Sequence, residues 1–144
     1  MLKILYITTA VTALSPQLLF ERDSACPDPT QNQCPQTGTG GLPTNFCCPT
    51  RLTCVPLAAN TTVLCCPDVE GNCSLIAPIS CDITQQNIAL HPENILKTIA
   101  LAATLPRCGS DCCPFGFRCN TTSSIASCLM NPDQHVFDFS LYVC

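Results

Sequence analysis

The strongest constraint on this chain is a repeated arrangement of cysteine. Cys47-Cys48-Pro49-Thr50-Arg51-Leu52-Thr53-Cys54 and Cys112-Cys113-Pro114-Phe115-Gly116-Phe117-Arg118-Cys119 share one layout: a vicinal pair, a proline, four residues and another cysteine. A Thr/Ser/Asn-containing loop follows each and closes at Cys65 or Cys128. Extended backwards, both copies read C…C…CC…C…C. The first comprises Cys26, Cys34, Cys47, Cys48, Cys54 and Cys65; the second comprises Cys81, Cys108, Cys112, Cys113, Cys119 and Cys128. Such internal repetition predicts two small units built alike.

Fifteen of the 144 residues are cysteine, a proportion that marks a disulfide scaffold. Trp is absent, only six Phe and two Tyr occur, and thirteen Pro interrupt the chain. One large aromatic-aliphatic core is therefore out of reach, and small units that bury little surface need covalent staples. Each bridge contributes about 2–4 kcal/mol, mainly by restricting the unfolded chain. The net charge of −4 comes with only six Lys plus Arg and no basic run. That deficit argues against nucleic-acid binding, which needs clustered cations on phosphates, and against docking on anionic lipid.

Residues 1–15, MLKILYITTAVTALS, place one cation (Lys3) before an uncharged stretch from Ile4 to Leu14. This is the layout of a secretory signal peptide, with a cut after Ala13 or after Ser15. The run is too short to span a bilayer. Three N-x-S/T triplets, at Asn60, Asn72 and Asn120, are glycosylation acceptors on the same export route. The expectation is a secreted, extracellular glycoprotein.

The cysteine order resembles the inhibitor cystine knot, or knottin, framework. That resemblance implies one-to-four, two-to-five and three-to-six pairing in each hexad: Cys26–Cys48, Cys34–Cys54 and Cys47–Cys65, then Cys81–Cys113, Cys108–Cys119 and Cys112–Cys128. The three cysteine doublets are also similar to granulin modules, although single Cys54 and Cys119 stand where a granulin would double again. The CCP-x4-C segments, with Phe115-Gly116-Phe117 in the second, look like repeated modules of secreted and cell-surface proteins from filamentous fungi. Those proteins often continue into a Ser/Thr-rich stalk and a membrane anchor. No such stretch follows Met130, so anchoring is not implied. Six cysteines permit fifteen connectivities, and spacing alone does not choose among them.

Cys66, Cys73 and Cys144 remain outside the hexads. Cys66 and Cys73 flank a turn-rich loop that can close locally. Cys144 is the odd residue, which raises an intermolecular bridge and a dimer as one expectation. The competing use of cysteine, structural zinc, fits locally only at Cys108-Gly109-Ser110-Asp111-Cys112, and an oxidising route pairs thiols instead. No metal or cofactor is expected.

The expected fold is small and disulfide-rich: two cystine-knot-like modules with short β-hairpins, joined by a segment with one helix. A polar lead-in (16–25) precedes module 1 (26–81), a helical or extended linker (82–106), module 2 (107–130) and a tail (131–144). Thr53–Val55 with Thr62–Cys65, and Phe117–Asn120 with Ile125–Leu129, predict the hairpins. Gly38–Gly41 predicts a turn. In the linker, Pro92 and Glu93 suit a first helical turn, Pro106 suits a stop, and Ile95, Ile99, Ala102 and Ala103 fall at helical spacing. The tail carries Val136, Phe137, Phe139, Leu141, Tyr142 and Val143, which suits an added edge strand or an unpacked end.

No residue set specifies a reaction. His91 and His135 are the two bases near neutrality, neither with a nucleophile motif, and His135 lies between Asp133 and Asp138. No G-x-S-x-G, H-E-x-x-H, phosphate-binding Gly-Lys loop or C-x-x-C is present. Arg107 and Arg118 flank the second doublet. The expected function is therefore a non-catalytic structural or interaction protein of the extracellular space or cell surface, with a protein or a cell-wall glycan as partner. The alternative is an effector or inhibitor of knottin type, in which Arg51 or Arg118 would engage a trypsin-like protease.

Overall fold

The computed structural model describes residues 26–35, 42–43, 45–67, 73–122 and 124–135. The expected leader and lead-in (1–25), the Gly38–Gly41 turn, Asn72, the tail from residue 136 and Cys144 lie outside them.

The fold is small, disulfide-rich and almost wholly β. Strand β1 (Gln31–Gln33) pairs antiparallel with β2 (Cys47–Pro49). Strands β3 (Leu52–Leu57) and β4 (Thr62–Pro67) form the expected first hairpin, longer than its β-branched centre, with Val55 opposite Leu64 and Cys54 opposite Cys65. Strands β9 (Phe117–Asn120) and β10 (Ser127–Met130) form the second, which places Ile125 in the connecting turn rather than in a strand. Strands β7 (Arg107–Cys108) and β8 (Asp111–Cys112) make a tight hairpin at Gly109, whose φ of 71° is one that Gly adopts readily.

The expected linker helix is corrected. Leu96–Thr98 is strand β6, antiparallel to β4, and the nearest helical element is a single 3₁₀ turn at Ile83–Gln86. Of the four residues at helical spacing, Ile95 and Ile99 are about half exposed and Ala102 is exposed; only Ala103 is buried. The three consecutive residues Leu96, Lys97 and Thr98 are buried instead. Without β6, β4 would present a row of unpaired backbone groups, so β6 covers that edge. Thr62 and Thr98 face each other across the pair, and their buried hydroxyls bond at 2.9 Å.

Sheet order departs from chain order. Strand β5 (Leu75–Ile76), from the stretch assigned to module 1, pairs with β10. Strand β6, from the stretch assigned to the linker, joins the sheet of module 1. Apolar packing is shared accordingly. One cluster joins Leu57, Leu64, Leu96, Ala100 and Leu105 to Phe115, Phe117 and Cys128; a second joins Leu42, Phe46 and Val63 to Cys34, Cys48 and Cys65.

Seven disulfides join fourteen of the described cysteines. The first hexad closes as Cys26–Cys47, Cys34–Cys54 and Cys48–Cys65. The second closes as Cys81–Cys112, Cys108–Cys119 and Cys113–Cys128, and Cys66–Cys73 closes locally. Both hexads thus pair one-to-three, two-to-five and four-to-six. The knottin pairing is corrected at each doublet, whose two members exchange partners. The cause is visible at β2: neighbouring residues of a strand project to opposite faces. Cys47 therefore closes back on Cys26 while Cys48 enters the core beside Phe46 and Val63. All three Cα–Cα separations, 5.8, 5.6 and 5.5 Å, lie in the ordinary range for a bridge.

Candidate functional site

The site starts from a short turn. Asp82 caps the 3₁₀ turn: its Oδ1 accepts from the Thr84 N–H at 3.1 Å and the Thr84 hydroxyl at 2.7 Å. Both bonds favour the ionised carboxylate, and they hold the Asp82 pKa below its ordinary 3.8. At the far end Asn87 donates its N–H to Thr84 O and bridges to Thr98 of β6. This pins the turn beside the open edge of β6. On the other side Ile79 exchanges two backbone hydrogen bonds with Cys112, at 2.7 and 2.9 Å.

Between these elements lies a cleft of about 200 Å³, lined by Ile79, Ser80, Gln85, Gln86, Asn94, Ile95 and Leu96. Ile79, Ile95 and Leu96 supply apolar wall; Ser80, Gln85, Gln86 and Asn94 supply neutral polar groups. The lining contains no carboxylate, amine, imidazole or aromatic ring. At the rim the Asn94 amide donates to the backbone carbonyl of Gln85.

Gln86 is the unusual member. It is only 3% exposed, and both its Nε2 and its Oε1 lack a hydrogen-bond partner. Buried amides are ordinarily paired, and leaving one polar atom unpaired costs about 1–3 kcal/mol. A carboxamide with both atoms unpaired is thus an unspent donor and acceptor held side by side.

Lys97 is a second buried polar group. It is 1% exposed and donates its ammonium to the carbonyl oxygen of Cys47, which ties β6 to β2. Burial pulls its pKa below the ordinary 10.5, and the Glu93 carboxylate opposes that shift. No ion pair between Lys97 and a described carboxylate accompanies the bond.

The residues singled out by sequence do not converge on the cleft. Arg51 is exposed in the turn between β2 and β3; Arg107 and Arg118 are exposed on β7 and β9, strands that Cys108–Cys119 ties together. His91 lies 3.5 Å from Glu93, and the His135 N–H donates to Asp133 Oδ1. Asn60 occupies the β3–β4 turn with φ 65°. Asn120 ends β9, and its Oδ1 accepts from the Thr122 hydroxyl at 2.6 Å. The sulfurs of Cys34, Cys48 and Cys54, and those of Cys108, Cys113 and Cys128, cluster within 4.8 Å of one another. All six are in disulfides and offer no thiolate to a metal. Gln86 and Lys97 had escaped the sequence reading. Lys97 left one signal, as the single charge inside the apolar stretch from Ile95 to Ala103; Gln86 left none.

Fold and site together define a class: a small disulfide-rich β protein with a neutral, partly apolar cleft. No protein-family model, curated protein or solved structure matches the chain.

Proposed function

We propose that this chain is an exported, non-catalytic interaction protein of the extracellular space or cell surface. Its disulfide frame presents the Gln86 cleft and the inter-cysteine loops to a partner protein. The observation that carries this reading is the frame itself, with fourteen cysteines closed in seven bridges, several of them within the two apolar clusters. Such bridging suits an oxidising compartment. Among the described residues no helix is long and apolar enough to cross a membrane. A cleft without ionisable groups suits recognition better than proton transfer. The Asn120–Thr122 hydroxyl contact leaves an accessible acceptor triplet at the end of β9, in keeping with glycosylation on the export route.

The test is expression of the full chain in a secretory host, followed by mass analysis of the medium. Export predicts a leader-free, fully oxidised, glycosidase-sensitive product. That product, fluorescently labelled, should bind cell surfaces saturably, and protease treatment of the cells should abolish binding. Retention in the cell with reduced cysteines would overturn export; binding resistant to protease but lost on glycan digestion would assign a glycan partner instead.

One observation keeps the inhibitor reading as a second. Arg51 stands exposed in the tight loop between Cys48 and Cys54, where a trypsin-like protease could reach it. Titration against such a protease decides it, and absence of inhibition at micromolar protein removes it.

A further inference from the structure

The geometry points to the Gln86 cleft as a binding site for an extended peptide, held by one residue's backbone N–H and C=O on the Gln86 carboxamide. This inference rests on the reading of the chain as a binding protein and names the ligand chemistry of its cleft.

Three features select that chemistry. The first is the unpaired carboxamide, whose Oε1 accepts and whose Nε2 donates in one plane. Its complement is a donor and an acceptor facing the same way. In an extended peptide the N–H and C=O of one residue leave the backbone on the same side, as in an antiparallel ladder. A secondary acetamide on a sugar directs its N–H and C=O in opposite directions and can satisfy only one half. The second feature is the wall: Ile79, Ile95 and Leu96 can receive an aliphatic side chain next to the paired residue. The third is what the lining lacks. It offers no cation for a phosphate, no charge partner for a charged side chain and no ring on which a sugar or a base would stack.

The same observations say how the site opens. Gln86 is closed to solvent, so a ligand must part the rim, where the exposed Asn94–Gln85 bond is the tie. Breaking one exposed hydrogen bond is offset by pairing both orphaned atoms of Gln86. The free protein therefore carries an unfavourable amide that the ligand relieves.

The test uses the full, oxidised, ¹⁵N-labelled chain and three measurements. N-acetyl-leucinamide is the peptide probe, and N,N′-diacetylchitobiose is the sugar control. The expected result is saturable shifts of the Gln86 side-chain NH₂ and the Leu96 amide with the peptide probe and none with the sugar. Gln86→Met keeps the side-chain volume and removes the amide; it should weaken the probe by about tenfold or more. In the absence of ligand the same variant should unfold at equal or higher denaturant, because it removes an unpaired polar group. Three results would overturn the inference: no shift at Gln86 to the solubility limit of the probe, equal response to the sugar, or loss of stability in Gln86→Met. The last would mean that Gln86 already has a partner in solution, a trapped water or another part of this chain. Each concerns the cleft alone, whereas failure of the broader reading would appear as loss of export or of cell-surface binding.

Discussion

Gln134 holds the tip of the first hairpin from the far side of the second repeat: its Oε1 accepts the N–H of Ala58 at 2.9 Å. Its backbone carbonyl takes the next N–H, that of Ala59, at 2.6 Å. Ala58, Ala59 and Asn60 all have positive φ, at 49°, 51° and 65°, a costly run for residues with a Cβ. Gln134 stabilises that run by pairing two N–H groups that the turn leaves over. Its Nε2 donates in turn to the carbonyls of Gly116 and Asn131, both at 2.8 Å.

Gly116 is the neighbour that allows this contact. Its φ is 87°, and a Cβ placed there would lie 2.5 Å from Gln134 Oε1 and 2.9 Å from Leu57 Cβ. Gly116→Ala should cost about 1–3 kcal/mol from backbone strain alone, before the overlap is counted. Gln134→Ala should destabilise by about 1–3 kcal/mol, because the buried Ala58 N–H loses its acceptor and the Gly116 and Asn131 carbonyls lose a donor, while the backbone bond to Ala59 remains. Denaturant unfolding checks both, and because the two residues share one network the double variant should cost less than the sum.

The bridges make a prediction that ordinary digestion cannot reach, because no protease separates Cys47 from Cys48. Partial reduction with stepwise alkylation should report Cys26–Cys47 with Cys48–Cys65, and Cys81–Cys112 with Cys113–Cys128. Removing bridges as Ser pairs should follow loop length. Cys66–Cys73 spans 7 positions and Cys81–Cys112 spans 31. Loss of the shorter should cost about 1 kcal/mol less than loss of the longer.

Lys97 should leave its mark at alkaline pH. Its folded pKa lies below 10.5, so over the interval up to that value the unfolded chain binds more protons than the folded one. Unfolding free energy then rises with pH, with a slope of at most ~1.4 kcal/mol per pH unit for one group. Lys97→Met should remove that rise. Unfolding midpoints of both proteins across the alkaline range, with bridges intact, measure it.

Asp82 works in the opposite direction at acid pH. Its contribution is present above 3.8 and is lost as pH falls through the depressed folded value. The protection factor of the Asn87 amide, whose N–H closes the 3₁₀ turn on Thr84 O, should therefore fall in acid when exchange is referred to the intrinsic rate at each pH. Asp82→Ala should show the lower protection already at neutral pH.

How far the sequence foretold this structure depended on whether the deciding partner was local. The β3–β4 and β9–β10 hairpins rest on β-branched runs around short turns, and they are where those runs lie. The bridges Cys34–Cys54 and Cys108–Cys119 agree with the framework the cysteine order resembles, and Cys66–Cys73 with a locally closed loop. Within each doublet both cysteines are buried, and they differ in the direction each faces: Cys47 and Cys48 lie on opposite faces of β2, while Cys112 ends β8 and Cys113 follows it, so order along the chain cannot say which partner each one meets. Leu96–Thr98 misled for another reason: Ile95, Ile99 and Ala103 mimic a helical stripe, while the open edge of β4, some thirty residues away, decided the outcome. Gln86 was invisible because an amide's burial is set by the elements folded over it.

The crossing of β5 and β6 has a consequence for what holds the molecule together. Among the described residues, no disulfide connects the chain up to Cys73 with the chain from Cys81 onward. A single nick between Ile76 and Cys81 would leave two separately cross-linked segments with no disulfide between them among the described residues. Yet each segment carries a strand that completes the other's sheet, β5 lying on β10 and β6 on β4. The halves are fastened by mutual loan: each keeps its own shape by covalent ties and lacks an edge that only its counterpart can return. Produced as two peptides divided after Ile76, they should find each other again, so the peptide link there serves to keep two matched segments at high local concentration.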